Sequence, residues 1–325
     1  MRKLLKKIIN DKKVLIFFKI VISLLLISYL IFDESIKLSL LFDSFFLYDE
    51  KLLILILIIF FTIIIGAYRW YLILKVFKFD ISLYKVFKIT YIGNFFNNLL
   101  LGGYGGDALR VHYICKASDK KKLTLFATVL IDRIIGAFGL FLVGFFFIFQ
   151  IDGGKKILIQ IIELINLKYT IILLLILILI ALSFNFYLIQ KLSDFKKKIK
   201  KFFEYLKRNI FTFFITINLS ILIFLIINFI VFLLSKYLFK FNVNIEEIFI
   251  SNTIAIFSSI IPITPGGLGI GEYAFSTVTK VLAGNQELKG IANVFLIHRL
   301  LNIVATLPAL YYFFNYKNEK MVIKN

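Results

Sequence analysis

Cysteine, histidine and proline are scarce in this 325-residue sequence, which contains one, two and three of them, respectively. The single cysteine, Cys115, cannot form an internal disulfide, and we expect it to be an inert small apolar side chain. His112 and His298 lack the neighbouring ligands that a zinc site requires. The sequence therefore predicts neither a disulfide-stabilised fold nor a resident metal or cofactor.

Charged residues are also few. They make up 18% of the chain, whereas hydrophobic residues make up 60% and the mean hydropathy is +0.92. This composition excludes a soluble globule with a polar surface. Apolar runs such as 52–65 and 171–182 are continuous, whereas strands of a membrane barrel would alternate polar and apolar residues. The sequence predicts an all-α, polytopic helical membrane protein that forms a single domain over residues 1–325.

Six segments are long enough to cross about 30 Å of hydrocarbon as helices. No small-residue cleavage site follows the first of them, so we interpret it as a retained span after a basic tail, 1–13. Most of the 39 Lys and Arg residues lie at alternate ends of the spans, which predicts a cell-membrane protein with both termini in the cytoplasm. The spans are 14–32, 52–74, 123–149, 169–189, 211–235 and 290–314.

The predicted cytoplasmic segment 190–208 has apolar residues at helical spacing and lysines around its other face. This pattern predicts an amphipathic helix that lies on the membrane surface. Its lysines are explained either by their effect on topology or by attraction of anionic lipids.

Two glycine-rich regions, 84–109 and 245–284, interrupt the apolar pattern. The first lies between cytoplasmic loops and the second between external ones, so each is predicted to enter the membrane and return to the same side. Re-entrant helical hairpins of opposite orientation are typical of transporters built from inverted repeats, whose binding sites lie near the bilayer midplane. We recognise no internal repeat at the level of individual residues.

The first region combines glycines with Asp107 and Arg110. The glycines permit a sharp turn that exposes backbone N–H groups, and a helix starting near Asp107 adds its positive dipole end. Asp107 is expected to be the N-cap of that helix or the partner of a buried arginine. Arg110 is suited to phosphate, which favours an anionic headgroup over a turn that serves packing alone. The candidate binding residues are Asn97, Asn98, Gly102, Gly103, Gly105, Gly106, Asp107 and Arg110.

Three charged residues within the spans are candidates for the same site. Arg69 lies beside Trp70 and Tyr71, so it either binds at the site or extends to the membrane interface. Asp132 and Arg133 lie deeper, and because adjacent residues on a helix do not face each other, each is expected to pair with a different element. Structural salt bridges between helices are the alternative.

The second region resembles the first in composition. Pro262 and Pro265 are predicted to end one helix, and Glu272 lies favourably in the first turn of the next. Glu272 is expected to be a counter-charge for Arg133 or Arg299, with helix capping as the alternative. The candidate binding residues here are Gly266, Gly267, Gly269, Glu272 and Arg299.

Four segments together carry a specific combination of motifs. They are GAYRWYLIL (66–74), NFFNNLLLGGYGGDALRVHYI (94–114), ATVLIDRIIG (127–136) and IPITPGGLGIGEYAF (261–275). In this order and spacing, which cover nearly the whole chain, they resemble the lysylphosphatidylglycerol synthase transmembrane region family. That family usually has a proline before the first glycine pair, where this chain has Leu101. The chain ends shortly after its last predicted span, so we expect a stand-alone member without the soluble aminoacyltransferase domain.

The resemblance implies a flippase-like protein that moves a lipid with a charged headgroup, such as aminoacylated phosphatidylglycerol or a polyprenyl-phosphate glycolipid, between leaflets. The alternatives are a membrane subunit of a lipid-modifying enzyme of the phosphatidylglycerol lysyltransferase type, with a separately encoded aminoacyltransferase or glycosyltransferase, and a non-catalytic membrane partner. No catalytic residue and no nucleic-acid partner are expected. In the transport hypothesis, arginines neutralise the phosphate and acidic residues orient the arginines: Arg69, Arg110 and Arg133, with Asp107, Asp132 and Glu272.

Overall fold

The computed structural model describes residues 12–41, 49–99, 105–116, 122–151, 209–260, 264–284 and 288–316. All regular secondary structure in these ranges is helical. A π-helical turn, Leu234–Leu238, extends α6, and a 3₁₀ turn, Pro265–Gly267, precedes α8. The helices are α1 (Lys12–Phe32), α2 (Asp49–Val76), α3 (Leu83–Leu99), α4 (Gly105–Lys116), α5 (Lys122–Ile148), α6 (Ile210–Leu233), α7 (Ile245–Ile260), α8 (Ile270–Leu282), α9 (Ala292–Thr306) and α10 (Ala309–Tyr316).

Four helical stretches of the described residues are long and apolar enough to cross a membrane, and they coincide with four of the predicted spans. Helix α1, with 21 residues, covers the predicted span 14–32. The predicted span 169–189 and the amphipathic segment 190–208 lie outside the described residues. The four stretches are Glu50–Val76, Thr124–Ile148, Ile210–Leu238 and Ala292–Asn315.

Each glycine-rich region contains two short helices. Helices α3 and α4 pack against each other, and so do α7 and α8. These four helices have 12 to 17 residues, so the longest extends about 25 Å and none crosses about 30 Å of hydrocarbon. Two pairs of short helices are thus packed among the long apolar ones.

The helices form two units with the same order of elements: a long helix, a pair of short helices and a second long helix. The first unit is α2 to α5, and the second is α6 to α10, in which α9 and α10 together form the long apolar stretch Ala292–Asn315. Each unit packs against long helices of the other unit: α2 packs against α9, α6 packs against α5, and α2 and α6 pack against each other. Arg69 contacts Ser220 while Gly66 faces Ile223. The equivalent helices α2 and α6 therefore run in opposite directions.

Helix α1 is fastened to both ends of α8. Near the start of α8, the Ser23 hydroxyl donates to the carbonyl of Leu268 at 3.2 Å. Near its end, Lys280 Nζ donates to the Asp33 carboxylate at 2.9 Å. The Ser35 hydroxyl donates to the same carboxylate. Polar contacts of Ser23 within α1, and of Asp33 just after it, thus attach α1 to the second unit.

The attachment at Asp33 predicts a dependence of stability on pH. The hydrogen bond from Ser35, followed by that from Lys280, lowers the pKa of Asp33 below its ordinary value of 3.8. Because the folded-state pKa is depressed, the stabilisation is present above pH 3.8 and is lost as the pH falls through the lower folded pKa. We expect Asp33→Asn to lower the Tm at neutral pH, and the difference from the wild type to disappear in acid. A Tm difference that persisted below the folded pKa would contradict this account.

Candidate functional site

Asp132 of α5 holds two arginines from different helices. Its Oδ1 accepts a hydrogen bond from Arg69 Nε of α2 at 2.8 Å, and its Oδ2 accepts one from Arg110 Nη2 of α4 at 2.9 Å. Arg69 also donates to Ser220 of α6 at 2.9 Å. The Asp132 side chain is only 4% exposed. The two cationic partners offset the free-energy cost of removing this carboxylate from water, which a lone buried carboxylate would bear in full.

Asp107 of α4 is the second carboxylate of this network. It accepts two hydrogen bonds of 2.8 Å from Arg133 of α5 and lies 3.4 Å from Arg110. Asn97 of α3 accepts the N–H groups of Gly106 and Asp107 at 2.9 and 3.3 Å. Asn97 therefore satisfies the start of α4 from outside that helix. Of the two roles expected for Asp107, the structure places it as an ion-pair partner and assigns capping to Asn97.

The network carries one excess positive charge, since it joins three arginines to two aspartates: Arg69, Arg110, Arg133, Asp107 and Asp132. The Arg110 side chain is 3% exposed, and its Nε has no hydrogen-bond partner among the described residues. Arg133 is 47% exposed. Arg133 is therefore the cation that reaches the protein surface, whereas Arg110 connects the two carboxylates from within.

Trp70 and Arg69 lie inside the helix packing and do not extend from the protein surface, which the sequence left as one possibility for Arg69. Trp70 is fully buried, and the Arg110 guanidinium lies 4.1 Å above its ring, a cation–π arrangement that stabilises a desolvated charge. The Arg69 side chain is 11% exposed and is held by Asp132. Both residues belong to the interior because their partners come from other helices, which sequence spacing does not show.

Glycines of three helices make room for the arginines. A Cβ at Gly106 would overlap the carbonyl of Gly93, so α3 and α4 approach each other at backbone distance. A Cβ at Gly93 would lie 2.6 Å from the side chain of Arg110, and one at Gly136 would lie 3.4 Å from that of Arg69. Sequence reasoning missed Gly93 and Gly136. Gly136 was detectable, because it lies four positions after Asp132 and so on the same face of α5.

Glu272 and Arg299 form a second charged cluster. Glu272 Oε1 lies 3.2 Å from Arg299 Nε, and Oε2 accepts the N–H of Gly269 at 2.8 Å. Arg299 also donates to the carbonyls of Gly266 and Gly267 at 3.0 and 3.3 Å. Both roles expected for Glu272 are thus present together, and its partner is Arg299, not Arg133. Gly266, Gly267 and Gly269 have φ of 59°, 73° and 85°, which favours glycine at these three positions.

The carboxyl end of α3, in the first glycine-rich region, lies against the turn of the second. A Cβ at Gly266 would lie 3.7 Å from the carbonyl of Asn98, and the Asn98 amide donates to Thr306 of α9 at 3.4 Å. Gly105 is the first residue of α4. Candidate residues Gly102 and Gly103, together with Pro262, lie outside the described ranges. Within the described residues, no three His, Cys, Asp or Glu side chains are grouped to hold a metal ion.

Comparison with known proteins agrees with this architecture. Two archaeal relatives are UPF0104 membrane proteins: PH1989 of Pyrococcus horikoshii is 41% identical over 76 residues, and MJ1595 of Methanocaldococcus jannaschii is 28% identical over 120 residues. The matched stretches cover 23% and 35% of this chain and the same shares of those proteins, well under two thirds of their lengths. No solved structure matches.

A family model matches nearly the whole chain. Residues 16–309 match the model described as the lysylphosphatidylglycerol synthase TM region. The match includes both charged clusters, three of the four long apolar stretches in full and most of the fourth. The protein is therefore a polytopic membrane protein that belongs to the lysylphosphatidylglycerol synthase transmembrane region family.

Proposed function

We propose that this protein is a lipid translocase, a flippase or scramblase, that moves a lipid with a phosphate-bearing headgroup between the leaflets of the cell membrane. The observation that carries the proposal is the network around Asp132. It has one excess positive charge, and it lies among helices that are apolar enough to span a membrane. Buried arginines in such surroundings are costly and mark substrate pathways.

The geometry favours Arg133 as the group that first contacts the headgroup. Arg133 holds Asp107 through two N–H groups and is half exposed. Two oxygens of a phosphate can accept the paired N–H groups of a guanidinium as a carboxylate does, so a phosphate can replace Asp107 on Arg133 with both hydrogen bonds of Arg133 retained. Arg69 and Arg110 stay buried and raise the positive potential at the site. Aminoacylated phosphatidylglycerol and polyprenyl-phosphate glycolipids share the phosphate that this site suits.

The proposed layout places the pair α3 and α4 as a re-entrant hairpin from the cytoplasm and the pair α7 and α8 as one from outside. Both termini are cytoplasmic in this layout. The lengths of the four short helices support it, because none crosses the hydrocarbon alone. Such a protein lowers the barrier to lipid movement, and net direction then depends on gradients of lipid, ions or membrane potential.

The test measures transfer of fluorescent phosphatidylglycerol, and of a polyprenyl-phosphate analogue in parallel, in liposomes that contain the purified protein, with dithionite to reduce probe in the outer leaflet. We expect Arg133→Gln to slow transfer at least about tenfold, because a hydrogen bond to a charged group contributes about 1.5–3 kcal/mol. Arg133→Lys keeps the charge but not the paired donors, so an intermediate rate is expected.

Lys75→Gln is the matched control, because it removes a cation whose partner, Asp80, is fully exposed. It should leave the transfer rate unchanged. Each variant must elute as a folded monomer or oligomer like the wild type. Transfer of either lipid at the wild-type rate by folded Arg133→Gln, or no transfer of either lipid by the wild type, would contradict the proposal.

A further inference from the structure

The two charged clusters are two copies of one motif. In each, a glycine precedes the acidic residue in the first turn of a short helix, namely Gly106–Asp107 in α4 and Gly271–Glu272 in α8. Each acid pairs with an arginine on the next long helix. Arg133 follows Asp107 by 26 positions, and Arg299 follows Glu272 after nearly the same interval. Spacing, residue chemistry and helix order thus agree in both units.

Packing beneath each acid repeats as well. A Cβ at Gly106 would overlap the backbone of Gly93 on the preceding helix α3, and a Cβ at Gly271 would overlap the side-chain hydroxyl of Ser259 on the preceding helix α7 and the ring of Phe295. Small residues therefore meet at the same point of both helix pairs. Every member of the second set follows its counterpart after a nearly constant interval along the chain. Together with the opposite directions of α2 and α6, this places one motif in two inverted copies.

The copies differ in charge and exposure. The first has the additional groups of Arg69, Arg110 and Asp132 and one excess positive charge. The second is neutral, and its arginine is 16% exposed because Glu272 and two glycine carbonyls hold it. Thr264, at the start of the same turn, is fully buried, and its hydroxyl has no hydrogen-bond partner among the described residues. A buried hydroxyl without a partner among the described residues thus belongs to the same turn whose glycine carbonyls accept from Arg299.

We infer that Glu272 and Arg299 form a second headgroup site, equivalent to the site at Asp107 and Arg133, which the lipid phosphate occupies at the other end of its movement. This inference rests on the proposed function. The phosphate replaces Glu272 and the carbonyls of Gly266 and Gly267 on the Arg299 guanidinium. Because the second cluster lacks the excess charge of the first, it binds the phosphate more weakly and releases it.

The test uses the opposite charges of Glu272 and Arg299. Dihexanoyl phosphatidylglycerol is titrated onto the detergent-solubilised protein, and its affinity is derived from the ligand-induced rise in Tm. The background is Arg133→Gln, in which the first site is weakened. Adding Arg299→Gln should weaken the remaining binding at least about tenfold, because it removes the cation. Adding Glu272→Gln should strengthen it, because it removes the competing carboxylate while the arginine remains.

A purely structural ion pair predicts a different result. Both substitutions break the same ion pair, so if the pair is only structural, they should change lipid binding in the same direction or not at all. That outcome overturns the inference. The ligand-free Tm of each variant shows how far the fold is affected. If the wild type binds and transports lipid, Arg133→Gln impairs both and Arg299→Gln impairs neither, the second site fails while the proposed function stands. If the wild type neither binds nor transports, both fail.

Discussion

Replacing Asp132 with Asn is expected to lower the free energy of unfolding by about 3–5 kcal/mol. The substitution leaves Arg69 and Arg110 in the interior without the carboxylate that holds them at 2.8 and 2.9 Å. An asparagine presents one carbonyl oxygen and an amide that repels the guanidinium donors. Since the carboxylate is 4% exposed, water cannot compensate. Unfolding by titration with SDS in mixed micelles, followed by circular dichroism, measures the loss.

The same substitution at an exposed pair is the control. Asp80 lies 3.2 Å from Lys75 but is fully exposed, so Asp80→Asn should change the free energy of unfolding by less than about 1 kcal/mol. Combining Asp132→Asn with Arg69→Met should recover part of the loss, because an uncompensated charge is removed as well. Equal losses for Asp132→Asn and Asp80→Asn would show that the buried network does not stabilise the fold.

Gly106→Val is expected to be as damaging for a different reason. The first carbon of any side chain at this position would overlap the carbonyl of Gly93. Backbone cannot yield as a flexible side chain does, so α3 and α4 must separate. Separation removes the Asn97 contacts to the start of α4 and displaces Asp107 from Arg133. We expect a loss of about 3 kcal/mol or more in the unfolding free energy, together with loss of lipid transfer.

Gly66→Ala provides a control of opposite sign. A Cβ at Gly66 would meet only the end of Ile223, at an ordinary contact distance of 3.9 Å. Because Gly66 lies within α2, alanine should stabilise the helix by about 0.5–1 kcal/mol. The same unfolding titration reports both variants. A Gly106 variant as stable as the wild type would show that the two helices are not in backbone contact.

Sequence patterns predicted the apolar helices and singled out the charged residues of both clusters. They did not predict which of these residues contact each other. The apolar runs, and the charged residues that interrupt them, are easily recognised in the sequence, because lipid tolerates few exceptions to hydrophobicity. The partners of Asp132 come from α2 and α4, and no local spacing contains that information. Glu272 illustrates the limit, since both Arg133 and Arg299 were compatible with the sequence and only the packing of α8 against α9 selects Arg299.

The internal repeat was missed for a related reason. Only the glycine before the acid and the arginine are identical in the two copies, whereas aspartate corresponds to glutamate and Gly93 corresponds to Ser259. What is preserved is an ion pair, a glycine packed against a small residue of the preceding helix, and the interval between them. These features become visible only when the contacts of Asp107 and Glu272 are compared in three dimensions.

The position of Trp70 provides an optical probe of this protein. The chain contains no other tryptophan, and this indole is fully buried with the Arg110 guanidinium 4.1 Å above its ring. Its fluorescence therefore originates from one ring whose environment includes the charge that connects both carboxylates. A red shift of its emission maximum accompanies entry of water beside that ring. The native chain thus carries, without any label, a spectroscopic reporter of whether its charged interior is closed or open.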